Sequence, residues 1–128
     1  MVHFALCGHG TYGSSLKESL QMLLPAVESV SVIDFDKTMD ATDLTTAVLK
    51  VIKDNENTPL LFICDMVGGA PFKVCAMQSL DYNNVRVIAG TNLASLLEVY
   101  FQRENDIDDV VQTMIQTSKE SIDYYPKK

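Results

Sequence analysis

The apolar run Val2 to Cys7 ends in Gly8-His9-Gly10, which places an imidazole on a glycine turn. A neutral imidazole offers a lone-pair nitrogen that can take up an electrophile covalently. Glycine turns and helix starts present close-packed backbone N–H groups suited to the oxygens of a phosphoryl group. A carboxylate on the second ring nitrogen would fix the tautomer and stabilise the charge that grows as the ring attacks, the logic of a catalytic triad without its serine. Asp65 is the candidate for that carboxylate, because it follows the apolar run Leu60 to Cys64 and opens the loop Asp65-Met66-Val67-Gly68-Gly69-Ala70-Pro71. His9 is then the nucleophile and Asp65 its orienter, with phosphoryl transfer the natural chemistry. Met66 and Val67 either pack inward or stand exposed, where they would suit docking of a protein partner.

These residues need elements to bring them together. Residues 2–7, 30–35, 60–64 and 85–89 have strand length and composition. Between and after them, apolar residues recur with helical period: Leu16, Leu20, Leu23 and Leu24; Leu44, Val48, Val51 and Ile52; Leu93, Leu96, Leu97 and Tyr100. Pro71 suits a first helical turn, Asn92 can cap a fourth helix, and Asp106 can open a last one through Ile107, Val110, Val111 and Met114. The order βαβαβαβα predicts an α/β fold with an open, mostly parallel sheet and helices on both faces. Residues 121–125 alternate like a fifth strand or equally continue the last helix; as a strand they have no neighbour in sequence, which points to pairing with another subunit. Open parallel sheets bind ligands beyond the carboxyl ends of their strands. That edge collects His9, Asp34 and Asp36, Asp65 with Gly68-Gly69, and Gly90-Thr91-Asn92. Asp34 and Asp36 either reach the site or cap the turn after residue 35, the latter being favoured. His3, inside the first run, reads as a sheet side chain.

At 128 residues the chain predicts one domain, 1–128, with a single core. No apolar run approaches the ~20 residues of a membrane span, and the amino terminus does not resemble a signal peptide. A net charge of −7 argues against nucleic-acid and anionic-membrane partners. Cys7, Cys64 and Cys75 have no metal-ligand spacing and read as small buried hydrophobes of a reduced, cytoplasmic protein, with no metal site expected.

Gly8-His9-Gly10-Thr11-Tyr12-Gly13 formally matches G-x-G-x-x-G, with Asp34 about 20 residues on where a ribose-binding acid belongs. The bulky His9 stands where backbone must approach a pyrophosphate, and no second domain holds a substrate, so nucleotide binding is disfavoured. A receiver-type domain would carry a phosphorylated aspartate near Asp65, but the chain lacks the acidic pair and the lysine that such a domain needs.

Gly8-His9-Gly10 after a strand, Val32 to Phe35, Leu61 to Phe72 and Val87 to Leu93, in this order over essentially the whole chain, resemble the EIIA component of the mannose-type (mannose, fructose, sorbose) sugar phosphotransferase system. The pairing of the histidine turn with the Asp-x-x-Gly-Gly-x-Pro loop makes the resemblance specific. It implies a cytoplasmic phosphocarrier in which His9 accepts a phosphoryl group from HPr and passes it to EIIB, with membrane EIIC and EIID acting indirectly. It implies Asp65 as the residue orienting His9, no cofactor, and a homodimer whose exchanged C-terminal strands would occupy 121–125. Val67 and Ala70 stand where some relatives carry tryptophan and serine. Phosphate binding then falls to backbone at Gly10, Gly69 and Ala70, with Thr11 as helper. The end of the chain at residue 128 places EIIB on another polypeptide. A phosphoryl-donor subunit of a dihydroxyacetone kinase, or a non-enzymatic small-ligand or nucleotide-binding module, is the competing expectation.

Overall fold

The computed structural model describes residues 1–128. The elements run β1 (His3–His9), α1 (Tyr12–Leu23), β2 (Val30–Phe35), α2 (Ala41–Asp54), β3 (Leu60–Cys64), α3 (Ala70–Ser79), β4 (Val85–Ala89), α4 (Leu93–Tyr100) and α5 (Ile107–Glu120). The four strands form one all-parallel sheet in the order β2-β1-β3-β4. The two central strands are apolar almost throughout because both of their faces are covered.

Alternation along the strands splits the core into two layers. Phe4, Leu6, Leu61 and Ile63 meet Leu20 of α1, Leu96 and Val99 of α4, and Val110 and Met114 of α5. Ala5, Cys7, Phe62 and Cys64 meet Leu44, Val48 and Ile52 of α2 and Cys75 of α3. Burying each large side chain contributes about 2 kcal/mol, so shifting a central strand by one residue would exchange both layers and is strongly disfavoured.

The helix starts follow local chemistry. Asp40 and Asn92 each form a capping box with the residue three positions on, Asp43 and Ser95. Asp106 caps α5, and Pro71 occupies the first turn of α3. Residues 121–125 form no strand in the single chain. α5 ends at Glu120, the Ser121 hydroxyl accepts a hydrogen bond from Asn92 Nδ2 at 2.8 Å, and Ile122, Tyr124 and Tyr125 are exposed. A strand is stable only against a neighbour, and one chain supplies none to this tail. No helix is long and apolar enough to cross a membrane.

Candidate active site

Strand order reverses between β1 and β3, and the crevice beyond their carboxyl ends is where this architecture gathers polar groups. β1 ends at His9 and β3 ends at Cys64, one residue before Asp65. Both the His9 backbone N–H and His9 Nδ1 lie within hydrogen-bonding distance of the same Asp65 oxygen, Oδ2, at 2.9 and 2.7 Å. Asp65 Oδ1 accepts from the Met66 N–H at 2.9 Å. Partial burial opposes ionisation of Asp65, but the hydrogen bonds from His9 and Met66 outweigh it and hold the carboxyl below its usual range. An ionised carboxylate only accepts, so Nδ1 must carry a ring proton, and the lone pair of the neutral imidazole then lies on Nε2.

The His9 side chain is 45% exposed, whereas that of Asp65 is 18% exposed. The orienting carboxylate is thus sheltered while the ring faces outward. Phe35, the register partner of His9 on β2, stands edge-on to the ring with centroids 6.0 Å apart. Gly69 approaches from the other side: a Cβ built there would lie 3.1 Å from Nε2 and would overlap Cε1. The backbone of the second loop therefore rests against the reactive edge of the imidazole. Gly10 turns the chain away from β1 at φ +60°, a conformation that side chains disfavour. His9, Gly10, Phe35, Asp36 and Lys37 line a surface cavity of about 400 Å³.

Gly69 is the N-cap of α3, and having no side chain it leaves the first-turn N–H groups without a side-chain cap. Ala70 begins that helix. Thr11 precedes α1 without capping it, and its hydroxyl oxygen accepts from Ser15 Oγ at 3.0 Å. Asp34 is turned away from the crevice: it accepts from the Ser14 N–H and hydroxyl and so serves the start of α1 rather than the turn after β2. Asp36 does serve that turn through the Thr38 N–H and hydroxyl. Asp34 is therefore committed to Ser14, which removes it from the ribose-binding role of a nucleotide fold. His3, at the far end of β1, contacts Ser31 Oγ at 2.7 Å, and burial with nearby Arg103 and Lys17 lowers its pKa. It is a sheet side chain.

Met66 and Val67 are exposed, and beside them Val67, Phe72, Lys73, Ala76, Met77 and Leu80 line a second, apolar groove of about 440 Å³. Phe35 and Lys37 were absent from the sequence-based candidates. The signal for Phe35 was its place at the end of a run that had to pair with one of its neighbours, but the pairing itself is not local. The three cysteines, separate in sequence, converge with all three Sγ within 4.8 Å of one another.

The model of the family described as PTS system fructose IIA component, EIIA-man, matches residues 4–115. The PTS system mannose-specific EIIAB component of Escherichia coli (strain K12) is 30% identical over 117 residues, which cover 89% of this chain and 36% of that protein. The chain thus spans about a third of the length of that relative. The PTS system fructose-specific EIIA component of Bacillus subtilis (strain 168) is 28% identical over 123 residues, covering 94% of this chain and 84% of its own. Among solved structures, phosphotransferase system component EIIA from Streptococcus agalactiae superposes with a TM-score of 0.89 at 28% identity, over 97% of each chain. The mannose/sorbose specific IIA subunit from Enterococcus faecalis, at 21% identity and a TM-score of 0.91, shares the fold. A match that runs from β1 into α5, carrying the histidine turn and the Asp65 loop with it, makes this chain a member of the mannose-family EIIA components of the sugar phosphotransferase system.

Proposed function

We propose that this chain is a cytoplasmic phosphocarrier that accepts a phosphoryl group on His9 Nε2 from phospho-HPr and hands it to an EIIB component during sugar uptake. One observation carries the reading: Asp65 engages Nδ1 at 2.7 Å and leaves Nε2 as the free nucleophile beside Gly69. Family membership supports the partners.

In the forward step the Nε2 lone pair attacks phosphorus, the N–P bond of the donor phosphohistidine breaks, and the donor ring nitrogen keeps that electron pair. The Nδ1 proton stays in place, and Asp65 balances the positive charge that spreads over the ring as the new N–P bond forms. The three phosphoryl oxygens are met by N–H groups at Gly69 and Ala70 and by the Thr11 hydroxyl, with the N-terminus of α3 adding its partial positive charge; the Gly10 N–H, expected from the sequence to join them, is instead taken by the Phe35 carbonyl at 2.8 Å. Both partners must reach the same nitrogen, so they bind in turn. Exposed Met66 and Val67 give them an apolar landing beside it. A homodimer in which tails 121–125 are exchanged would pair the exposed Ile122 and Tyr124 segment. EIIC and EIID of the membrane act downstream of EIIB.

The test is the intact mass of wild type and His9→Ala after incubation with phosphoenolpyruvate, the general phosphotransferase enzyme and HPr, before and after brief acid treatment. Wild type should gain one acid-labile phosphoryl group and the variant none. Equal uptake by His9→Ala refutes the assignment. Onward transfer to EIIB, rather than to a dihydroxyacetone kinase partner, is read by the same method.

A further inference from the structure

Cys7 of β1 and Cys64 of β3 are register partners in the parallel pair at the centre of the sheet, so their side chains leave the same face. Cys75 of α3 comes down onto that face, and the three Sγ atoms lie within 4.8 Å of one another. All three are fully buried and none forms a disulfide. No histidine, aspartate or glutamate joins the group. The trio therefore offers three sulfurs and nothing else, enclosed by Ile33, Phe62 and the rest of the α2/α3 layer.

We propose that Cys7, Cys64 and Cys75 form a binding site for a soft, thiolate-seeking metal ion held by three sulfurs, with copper(I) as the ion that fits. Three observations converge on it. An ion about 2.3 Å from each of three sulfurs in a plane sets those sulfurs about 4 Å apart, inside the spacing already present. Sulfur-only donors select soft ions, and zinc in a closed site wants a fourth ligand that the cluster does not supply. Charge decides between the soft ions by the same route. An apolar layer tolerates a neutral complex far better than a charged one, and copper(I) with one thiolate and two thiols is neutral. The binding step is one copper(I) entering and one proton leaving.

The site lies directly beneath the crevice. Cys64 adjoins Asp65, Cys7 is two residues from His9, and α3 begins at the loop that carries Gly69. A bound ion would tie together β1, β3 and α3. The proposal does not depend on the phosphocarrier reading, since it rests on the thiols alone.

The experiment uses the full chain, reduced and anaerobic, titrated with copper(I) against a colorimetric copper(I) chelator and examined by native mass spectrometry and copper X-ray absorption. One copper per folded chain with a three-sulfur shell is expected, and Cys75→Ala and Cys7→Val should each bind at least tenfold more weakly with circular dichroism unchanged. Met66→Leu, which removes an exposed thioether, should leave uptake as it is. The proposal is overturned if folded wild type yields all its copper to the chelator, if nitrogen enters the shell, or if zinc(II) is retained in preference. Should both cysteine variants unfold, the X-ray absorption of wild type decides alone.

Discussion

Replacing Asp65 by alanine and by asparagine separates the charge of this side chain from its geometry. Its carboxylate accepts three hydrogen bonds, two from His9 and one from Met66. A hydrogen bond to a charged group contributes about 1.5–3 kcal/mol, and the bond to Nδ1 strengthens as the ring becomes positive. At 1.36 kcal/mol per factor of ten, losing it slows phosphoryl acceptance by about 10- to 150-fold in Asp65→Ala. Asparagine can still turn its oxygen to Nδ1–H, but its amide nitrogen then faces the Met66 N–H, so orientation survives with neither the charge nor the loop contact. Asp65→Asn should fall between wild type and alanine. The assay is rapid-quench transfer from saturating phospho-HPr, so that docking does not limit the rate. Nitrogen NMR of the product gives a second reading: wild type should carry phosphate on Nε2 alone, whereas Asp65→Ala frees Nδ1 and yields both isomers. A folded Asp65→Ala within threefold of wild type, or wild-type phosphate on Nδ1, would refute the assignment of roles.

Three further outcomes follow from the same geometry. Gly69→Ala pushes the new methyl against Cε1 and Nε2 of His9, and acceptance should drop at least tenfold; the backbone at φ −90° suits alanine, so the melting curve should barely move. The hydrogen bonds from His9 and Met66 hold the Asp65 carboxyl below the usual carboxylate range in the folded chain, so its stabilisation is present above about pH 4 and is lost as pH falls through the folded value. The gap in urea midpoint between wild type and Asp65→Asn should therefore narrow on going from pH 7 to pH 3, and a gap that widens contradicts the sign. Asp40→Ala removes the capping box of α2 and should cost about 1 kcal/mol, visible as a melting point lower by about 3 °C, with phosphoryl acceptance unchanged.

Much of the fold is legible because it is written in short-range patterns. The strand runs, the helical spacing of Leu44, Val48 and Ile52, the caps at Asn92 and Asp106 and the proline of α3 all act within a few residues, where backbone sterics and hydrogen bonding are local. The histidine turn and the Asp65 loop could be matched for the same reason, each being a contiguous glycine-marked segment after a strand. Residues 121–125 show the limit of this reasoning. Their alternation is real, but alternation needs a neighbouring strand to become structure, and the single chain leaves Ile122 and Tyr124 exposed.

The sequence by itself determined which segments become strands and helices, and that His9 and Asp65 end up at the same edge of a parallel sheet. Tertiary structure alone decided how that edge is used. The order β2-β1-β3-β4 sets β3 beside β1, so that Asp65 meets the imidazole ring while Asp34 closes on Ser14. The same order sets Phe35 against His9, Gly69 against Nε2, and Cys7 next to Cys64 under Cys75. Strand order is a choice among packings with nearly the same local energies, made by burying both faces of β1 and β3 at once, and no window of the chain contains it.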